Sequence, residues 1–197
     1  MRKRAIALLF GSGVALGATG TDALAQAPDA VVPPKAAICA SCHGASGQPT
    51  LDPAYPVLSG QTSRYLYLEL RDFQAGRRTN PLMTPMAAGL TRDEMQALSD
   101  YFSKQKPPVQ TVATDATKVK LGKAKADETL CTMCHLGGFS GQNEIPRVAN
   151  QNYAYVVKQL TDFKARTRTN DAGSMTSVAN TLSAQDIENL ANYLASL

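Results

Sequence analysis

Residues 39–43 read CASCH and residues 131–135 read CTMCH. Two cysteines three apart with a histidine attached can hold zinc, cycle a disulfide or fasten a haem. A thioredoxin-type redox pair needs a CxxC at the start of a helix that follows a strand, and no strand-like alternation stands before either motif. A structural zinc site takes four Cys or His ligands. Each motif supplies two cysteines and one histidine, and the chain has no others, so zinc would need both motifs pooled at an unusually long spacing. A disulfide between residues three apart closes a loop too small to stabilise much, and it leaves the histidine without a purpose. Covalent haem uses every residue. Cysteines at i and i+3 share one face of a helix and can each add across a porphyrin vinyl group, while the next histidine presents its imidazole to the iron. CxxCH is the signature of c-type haem attachment. We read two haem c groups, bonded to Cys39 and Cys42 and to Cys131 and Cys134, with His43 and His135 as axial ligands.

The motif occurs twice because the chain is a repeat. Cys39, Cys42 and His43 fall on Cys131, Cys134 and His135 at an offset of 92. Pro56, Gln61, Tyr65, Leu70, Asp72, Phe73 and Asn80 match Pro146, Gln151, Tyr155, Leu160, Asp162, Phe163 and Asn170 at an offset of 90. The offset then returns to 92, where Met83, Leu90, Leu98 and Tyr101 match Met175, Leu182, Leu190 and Tyr193. Two copies are too few for a stacked array, so this is a duplicated domain. Within each copy the periodicity is helical: Leu66, Leu70 and Phe73, like Val156, Leu160 and Phe163, recur at i, i+4 and i+7. The last segment of each copy opens on a cap with an acid three residues on, Thr91 with Glu94 and Ser183 with Asp186. The apolar faces that follow are Met95, Leu98, Phe102 and Ile187, Leu190, Leu194. Lys104–Lys120, with Pro107-Pro108, lacks strong periodicity and reads as a linker. The expected domains are 26–105 and 121–197 joined by 106–120, in an all-α protein.

The first residues set the compartment. Arg2, Lys3 and Arg4 precede an apolar run to about Ala18, and Ala23-Leu24-Ala25 supplies a small-x-small cleavage pattern. Residues 1–25 read as a cleaved signal peptide, its apolar run too short for a comfortable permanent anchor. Without Arg2, Lys3, Arg4 and Asp22, the chain keeps 17 of its 20 basic and 15 of its 16 acidic side chains. A balance so near zero argues against nucleic acid as a partner. The local run of Lys106, Lys118, Lys120, Lys123 and Lys125 is read as a solvated linker. No other stretch is apolar and long enough to span a membrane. Two halves of about 80 residues are marginal on apolar burial alone, and each would gain from a large cofactor in its core.

The sixth iron ligand decides what such a haem does. A methionine sulfur closes the iron and raises its potential, as in electron carriers, whereas an open position admits small molecules. After Met133 the second copy has only Met175. The first copy has Met83, Met86 and Met95, of which Met83 aligns with Met175, Met86 with Val178 and Met95 with Ile187. His43 to Met83 and His135 to Met175 both span 40 residues. Met83 and Met175 are therefore the expected axial partners.

In order, CASCHG (39–44), PVLSGQ (56–61), Tyr65, RRTNPLM (77–83) and LTRDEMQALSDY (90–101) resemble the first half of a dihaem cytochrome c4. CTMCH, Pro146, Gln151, Tyr155, RTNDAGSM (168–175) and LSAQDIENLANY (182–193) echo it. The resemblance implies two tandem class I cytochrome c domains around a pseudo-two-fold axis. Each would wrap around one covalently attached haem, with the propionate edges facing each other across the interface. It also implies that the Pro56 and Pro146 carbonyls accept the axial histidine Nδ1–H, which orients the ring and raises its basicity. The second half departs from the family pattern at Leu136, where Gly usually follows the histidine. Its 170–175 loop is two residues longer than 80–83. Pro33-Pro34 predicts a short first helix.

The implied function is a periplasmic electron carrier, not an enzyme. It would take single electrons from a membrane respiratory donor to a terminal oxidase or reductase, docking transiently over a small patch. One alternative is a tightly bound cytochrome subunit of a periplasmic dehydrogenase oxidising sulfide or an alcohol. Another is a dihaem peroxidase-type or thiosulfate-oxidising enzyme, against which the paired methionines argue.

Overall fold

The computed structural model describes residues 32–48, 52, 54–107 and 113–197. The signal peptide expected over 1–25 and part of the expected linker lie outside the described residues. Helix α1 (Ala36–His43) begins one residue after Pro33-Pro34, with Lys35 as its N-cap, and carries the first CxxCH motif over its last five residues. Short as predicted, it is followed by α2 (Ser63–Gln74), α3 (Met83–Ala88) and α4 (Arg92–Ser103). The second half comprises α5 (Ala116–Glu128), α6 (Cys131–His135), α7 (Tyr153–Lys164), α8 (Ser174–Thr181) and α9 (Ala184–Ala195). Among the described residues there is no strand; the one extended pairing is an isolated bridge between Gln142 and Ile145.

The helix starts follow the sequence chemistry. Thr91 and Glu94 form a reciprocal capping box at α4, and Ser183 and Asp186 form another at α9, each satisfying backbone N–H groups that the first turn leaves unpaired. The predicted apolar faces are buried: Leu66 and Phe73 on α2, Met95, Leu98 and Phe102 on α4, and their counterparts on α7 and α9. Met95 is thus a core residue, 2 % exposed. Helix α2 packs on α3 and α4, and α7 packs on α8 and α9.

The stretch read as linker needs a correction. Its last residues, 116–120, are the first turn and more of α5, and four of the five clustered lysines lie on that helix rather than on a solvated connector. Asp115 caps it by accepting from the Thr117 and Lys118 N–H groups. Lys118 pairs with Glu188, and Lys125 with Glu128 and Asp186. The face that α5 buries is Gly122 and Ala126, so no large apolar residue marks it. At Gly122 the absence of a side chain is required: a Cβ would stand 2.0 Å from the Asn189 carbonyl oxygen of α9. No helix among the described residues of the first half corresponds to α5, and the first half's core cluster is the smaller.

The halves meet reciprocally. Gln61 bonds to Arg147, and Gln151 bonds to Val57, the position that matches Arg147 in the repeat. Such mutual contact is what a two-fold relation produces.

Candidate haem sites

In each half the histidine of the CxxCH motif is buried and held by a proline. His43 Nδ1–H donates to the Pro56 carbonyl at 2.9 Å, and His135 Nδ1–H donates to the Pro146 carbonyl at 2.8 Å. Burial pushes both imidazoles below the ordinary histidine pKa, against the opposing pull of the proline carbonyl. A neutral ring whose Nδ1 is committed to a carbonyl keeps the Nε2 lone pair for a metal.

One cavity of about 1220 Å³ runs through both halves and is lined by His43, Pro56 and Met83 and by His135, Pro146 and Met175. A pocket for one small molecule occupies about 300–1,000 Å³, so this space suits two large groups. Cys39, Cys42 and Cys131 border it as well. Cys134 does not line it, but stands three residues from Cys131 on α6. The four cysteines form no disulfide, and burial raises the Cys39 and Cys131 thiols above the usual value. Among the described residues, no three or more His, Cys, Asp or Glu side chains converge as a metal-ion site, so the pooled zinc arrangement is not assembled. The cavity wall away from the motifs carries Leu66, Leu98 and Phe102 in one half and Val156, Leu190 and Leu194 in the other, and polar groups such as Glu69, Arg78 and Arg168 line it as well. A flat hydrophobic macrocycle fits this chemistry: apolar walls, thiols at one side, an imidazole and a thioether within the same space.

The methionine-bearing segments are fixed differently. Met83 is the first residue of α3, and the Asn80 carboxamide oxygen accepts from the Leu82 and Met83 N–H groups. In the longer loop of the second half, Asp171 takes over this role, accepting from the Thr176 N–H at 2.6 Å just after Met175. Asn170, the repeat partner of Asn80, crosses instead to Asp72 and Glu69 of the first half. Met86 also borders the cavity and is 47 % exposed; its repeat partner Val178 lines the cavity in the second half.

Sequence reasoning missed the polar groups between the two sites. Arg78 and Arg168, matched in the repeat, lie over Phe73 and Phe163 of their own halves at 4.7 and 4.5 Å. Their side chains are only 11 % and 8 % exposed, and both reach Glu69, at 2.5 and 2.6 Å. Each also donates to Gln159 and to a tyrosine of the opposite half, Arg78 to Tyr155 and Arg168 to Tyr65. Burial drives the Tyr65 phenol well above the usual tyrosine range, keeping it neutral. Glu69 and Gln159 occupy matched positions, so a single carboxylate serves two guanidiniums. The signal that could have found this cluster is the recurrence in both copies of a tyrosine near the start of a helix with an apolar face, Tyr65 and Tyr155, and of an arginine just past that helix's end, Arg78 and Arg168.

The sequence model of the cytochrome c family matches residues 36–106 and again 119–197. One match per half defines the class: a c-type cytochrome built twice. Cytochrome c4 of Pseudomonas aeruginosa is 35% identical over 206 residues, covering all of both chains. A thiosulfate dehydrogenase electron acceptor of Thiomonas intermedia is 34% identical, over 87% of this chain and 83% of its own. Among solved structures, reduced recombinant cytochrome c4 from Pseudomonas stutzeri superposes with a TM-score of 0.77 at 36% identity, covering 83% of this chain and 95% of that one. The chain belongs to the dihaem cytochromes c4 of the cytochrome c family, electron-transfer proteins with two haem c groups.

Proposed function

We propose that this cytochrome is a periplasmic electron carrier rather than an enzyme, with His43 and Met83 as axial ligands in the first half and His135 and Met175 in the second. The thioethers would form at Cys39 and Cys42 and at Cys131 and Cys134. Bound in these sites, haem supplies one-electron chemistry between ferric and ferrous iron. The chain's own contribution is to hold the ligands. Pro56 and Pro146 orient the imidazoles, Asn80 and Asp171 anchor the methionine segments, and the apolar walls exclude water. The observation that carries the reading is that each half brings a proline-held histidine and a methionine to one apolar cavity. No helix among the described residues is long and apolar enough to cross a membrane, which suits transient docking between a membrane respiratory donor and a terminal oxidase or reductase.

A second reading is supported by the thiosulfate dehydrogenase electron acceptor among the relatives. A dehydrogenase of this kind could be the donor, with the cytochrome either free or tightly bound to it. Carbon monoxide binding to the reduced, haem-loaded protein tests the ligand set. The expected result is no binding in the wild type, and binding at one iron only in Met83→Ala. Stoichiometric binding at one wild-type iron would overturn the closed-iron assignment and favour an enzyme.

A further inference from the structure

Gln61 and Gln151 are buried, 5 % and 6 % exposed, and each spends its side chain on the backbone of the other half. Gln151 Oε1 accepts from the Val57 N–H at 2.8 Å, and its Nε2 donates to the Val57 carbonyl at 3.1 Å. Gln61 Oε1 accepts from the Arg147 N–H at 2.7 Å, and its Nε2 donates to the Arg147 carbonyl at 2.8 Å. Each Oε1 accepts in addition from the N–H of the following residue, Asn152 or Thr62, at 2.9 Å. These donors fix which way each carboxamide faces.

The bonded peptides are the ones that hold the histidines. The Val57 N–H and the Pro56 carbonyl belong to one peptide unit, and that carbonyl accepts from His43. The Arg147 N–H and the Pro146 carbonyl likewise share a unit, and that carbonyl accepts from His135. The hydrogen bonds therefore run in series, from a carboxamide of one half, through a peptide, to the imidazole of the other. In a buried setting, bonds in series polarise one another, so a peptide whose N–H is engaged offers a stronger carbonyl acceptor. A stronger acceptor at Nδ1 makes the imidazole a more basic ligand.

We propose that Gln151 and Gln61 are crossed positioning residues: Gln151 sets the orientation and basicity of His43, and Gln61 those of His135. The inference rests on His43 and His135 being the axial ligands. Each redox centre is then tuned from the opposite half, and neither half has its full properties without the other. Removing a glutamine weakens the carbonyl acceptor, lowers the basicity of the histidine in the other half and disfavours its ferric state, so that midpoint potential rises.

The test uses the full haem-loaded chain with Gln151→Leu and Gln61→Leu made separately. Two midpoint potentials are followed by spectroelectrochemistry, together with the paramagnetically shifted histidine ring resonances. A double Cys39→Ala, Cys42→Ala variant, loaded at the second motif alone, assigns the signals to a half without relying on the axial ligands. Gln151→Leu is expected to raise the first-half potential and shift the His43 resonances while the second-half potential stays put. Gln61→Leu should give the mirror result, and it carries the test alone should Gln151→Leu not fold. A change confined to the half that bears the substitution, an equal change in both, or no change overturns the proposal. Separately, a His43→Ala protein with an unaltered first-half spectrum would overturn the axial assignment and, with it, this inference.

Discussion

Leu136 follows His135 in the backbone conformation that Gly44 adopts after His43: φ 63°, ψ 172° against φ 77°, ψ 162°. This region is entered almost only by glycine, and other residues pay about 1–3 kcal/mol to occupy it. The turn is held by the Phe139 N–H donating to the Leu136 carbonyl at 3.0 Å and the Gly141 N–H donating to the His135 carbonyl at 2.9 Å. Leu136→Gly should therefore stabilise the haem-loaded protein. Relief of strain is partly offset by the lost side-chain burial and the freer unfolded chain, for a net gain of about 1 kcal/mol. Chemical denaturation of both proteins measures it, and a net loss would mean that the leucine packing outweighs the strain.

Glu69 pairs with both Arg78 and Arg168, with all three side chains at most 12% exposed. Removing one partner of a buried ion pair leaves uncompensated charge and costs about 3–5 kcal/mol. Glu69→Gln should lower the unfolding free energy by an amount of that order. Asp127→Asn, which breaks the exposed Lys123–Asp127 pair, should leave it nearly unchanged. Equal effects from the two substitutions would show that the buried cluster does not hold the halves together.

Gly122 lets α5 touch the backbone of α9. Gly122→Ala improves intrinsic helix propensity by about 1 kcal/mol, yet its methyl would meet the Asn189 carbonyl at 2.0 Å. Backbone on both sides cannot swing aside as a side chain can, so the overpacking cost of about 1–3 kcal/mol or more should win. Thermal unfolding should show a lower Tm for the variant; a higher one would place the two helices further apart than the structure has them.

Asp186 titrates usefully. Burial pushes its carboxyl up, but the Ser183 hydroxyl and N–H and the Lys125 ammonium outweigh it and leave the pKa below the usual aspartate range. A folded value below the unfolded one means that the contribution is complete above the unfolded pKa of about 4 and is lost as pH falls through the folded value. Asp186→Asn should cost about 0.3–1 kcal/mol at pH 7, the usual worth of a negative charge at a helix N-terminus. The gap to wild type should close as pH falls below about 4, seen as converging denaturation midpoints. A gap that is independent of pH would show that the charge is not what Asp186 contributes.

Much of the fold was legible because its signals are local. The capping boxes at Thr91 and Ser183, the apolar stripes of α2, α4, α7 and α9, and the halt imposed by Pro33-Pro34 each depend on residues within a few positions of one another. Helix α5 escaped because its contact face is Gly122 and Ala126: close backbone approach buries little apolar surface per residue, so it leaves no hydrophobic period. Of the lysines that suggested a connector, Lys120 and Lys123 are exposed on α5, while Lys118 and Lys125 reach across to Glu188 and Asp186 of α9.

By itself the sequence determined the covalent haem chemistry, the duplication and the match of Met83 with Met175, since motif spacing and repeat register are properties of the chain alone. Only the tertiary structure decided which groups the two halves share. That Gln151 reaches the peptide before Val57, that Asn170 leaves the methionine loop for Asp72, and that Glu69 answers two arginines all depend on side chains about 80 to 100 residues apart. Buried polar groups take the partners that the packed interface brings within hydrogen-bond reach, because leaving them unpaired costs more than the bonds themselves contribute. Such partners carry no period along the chain.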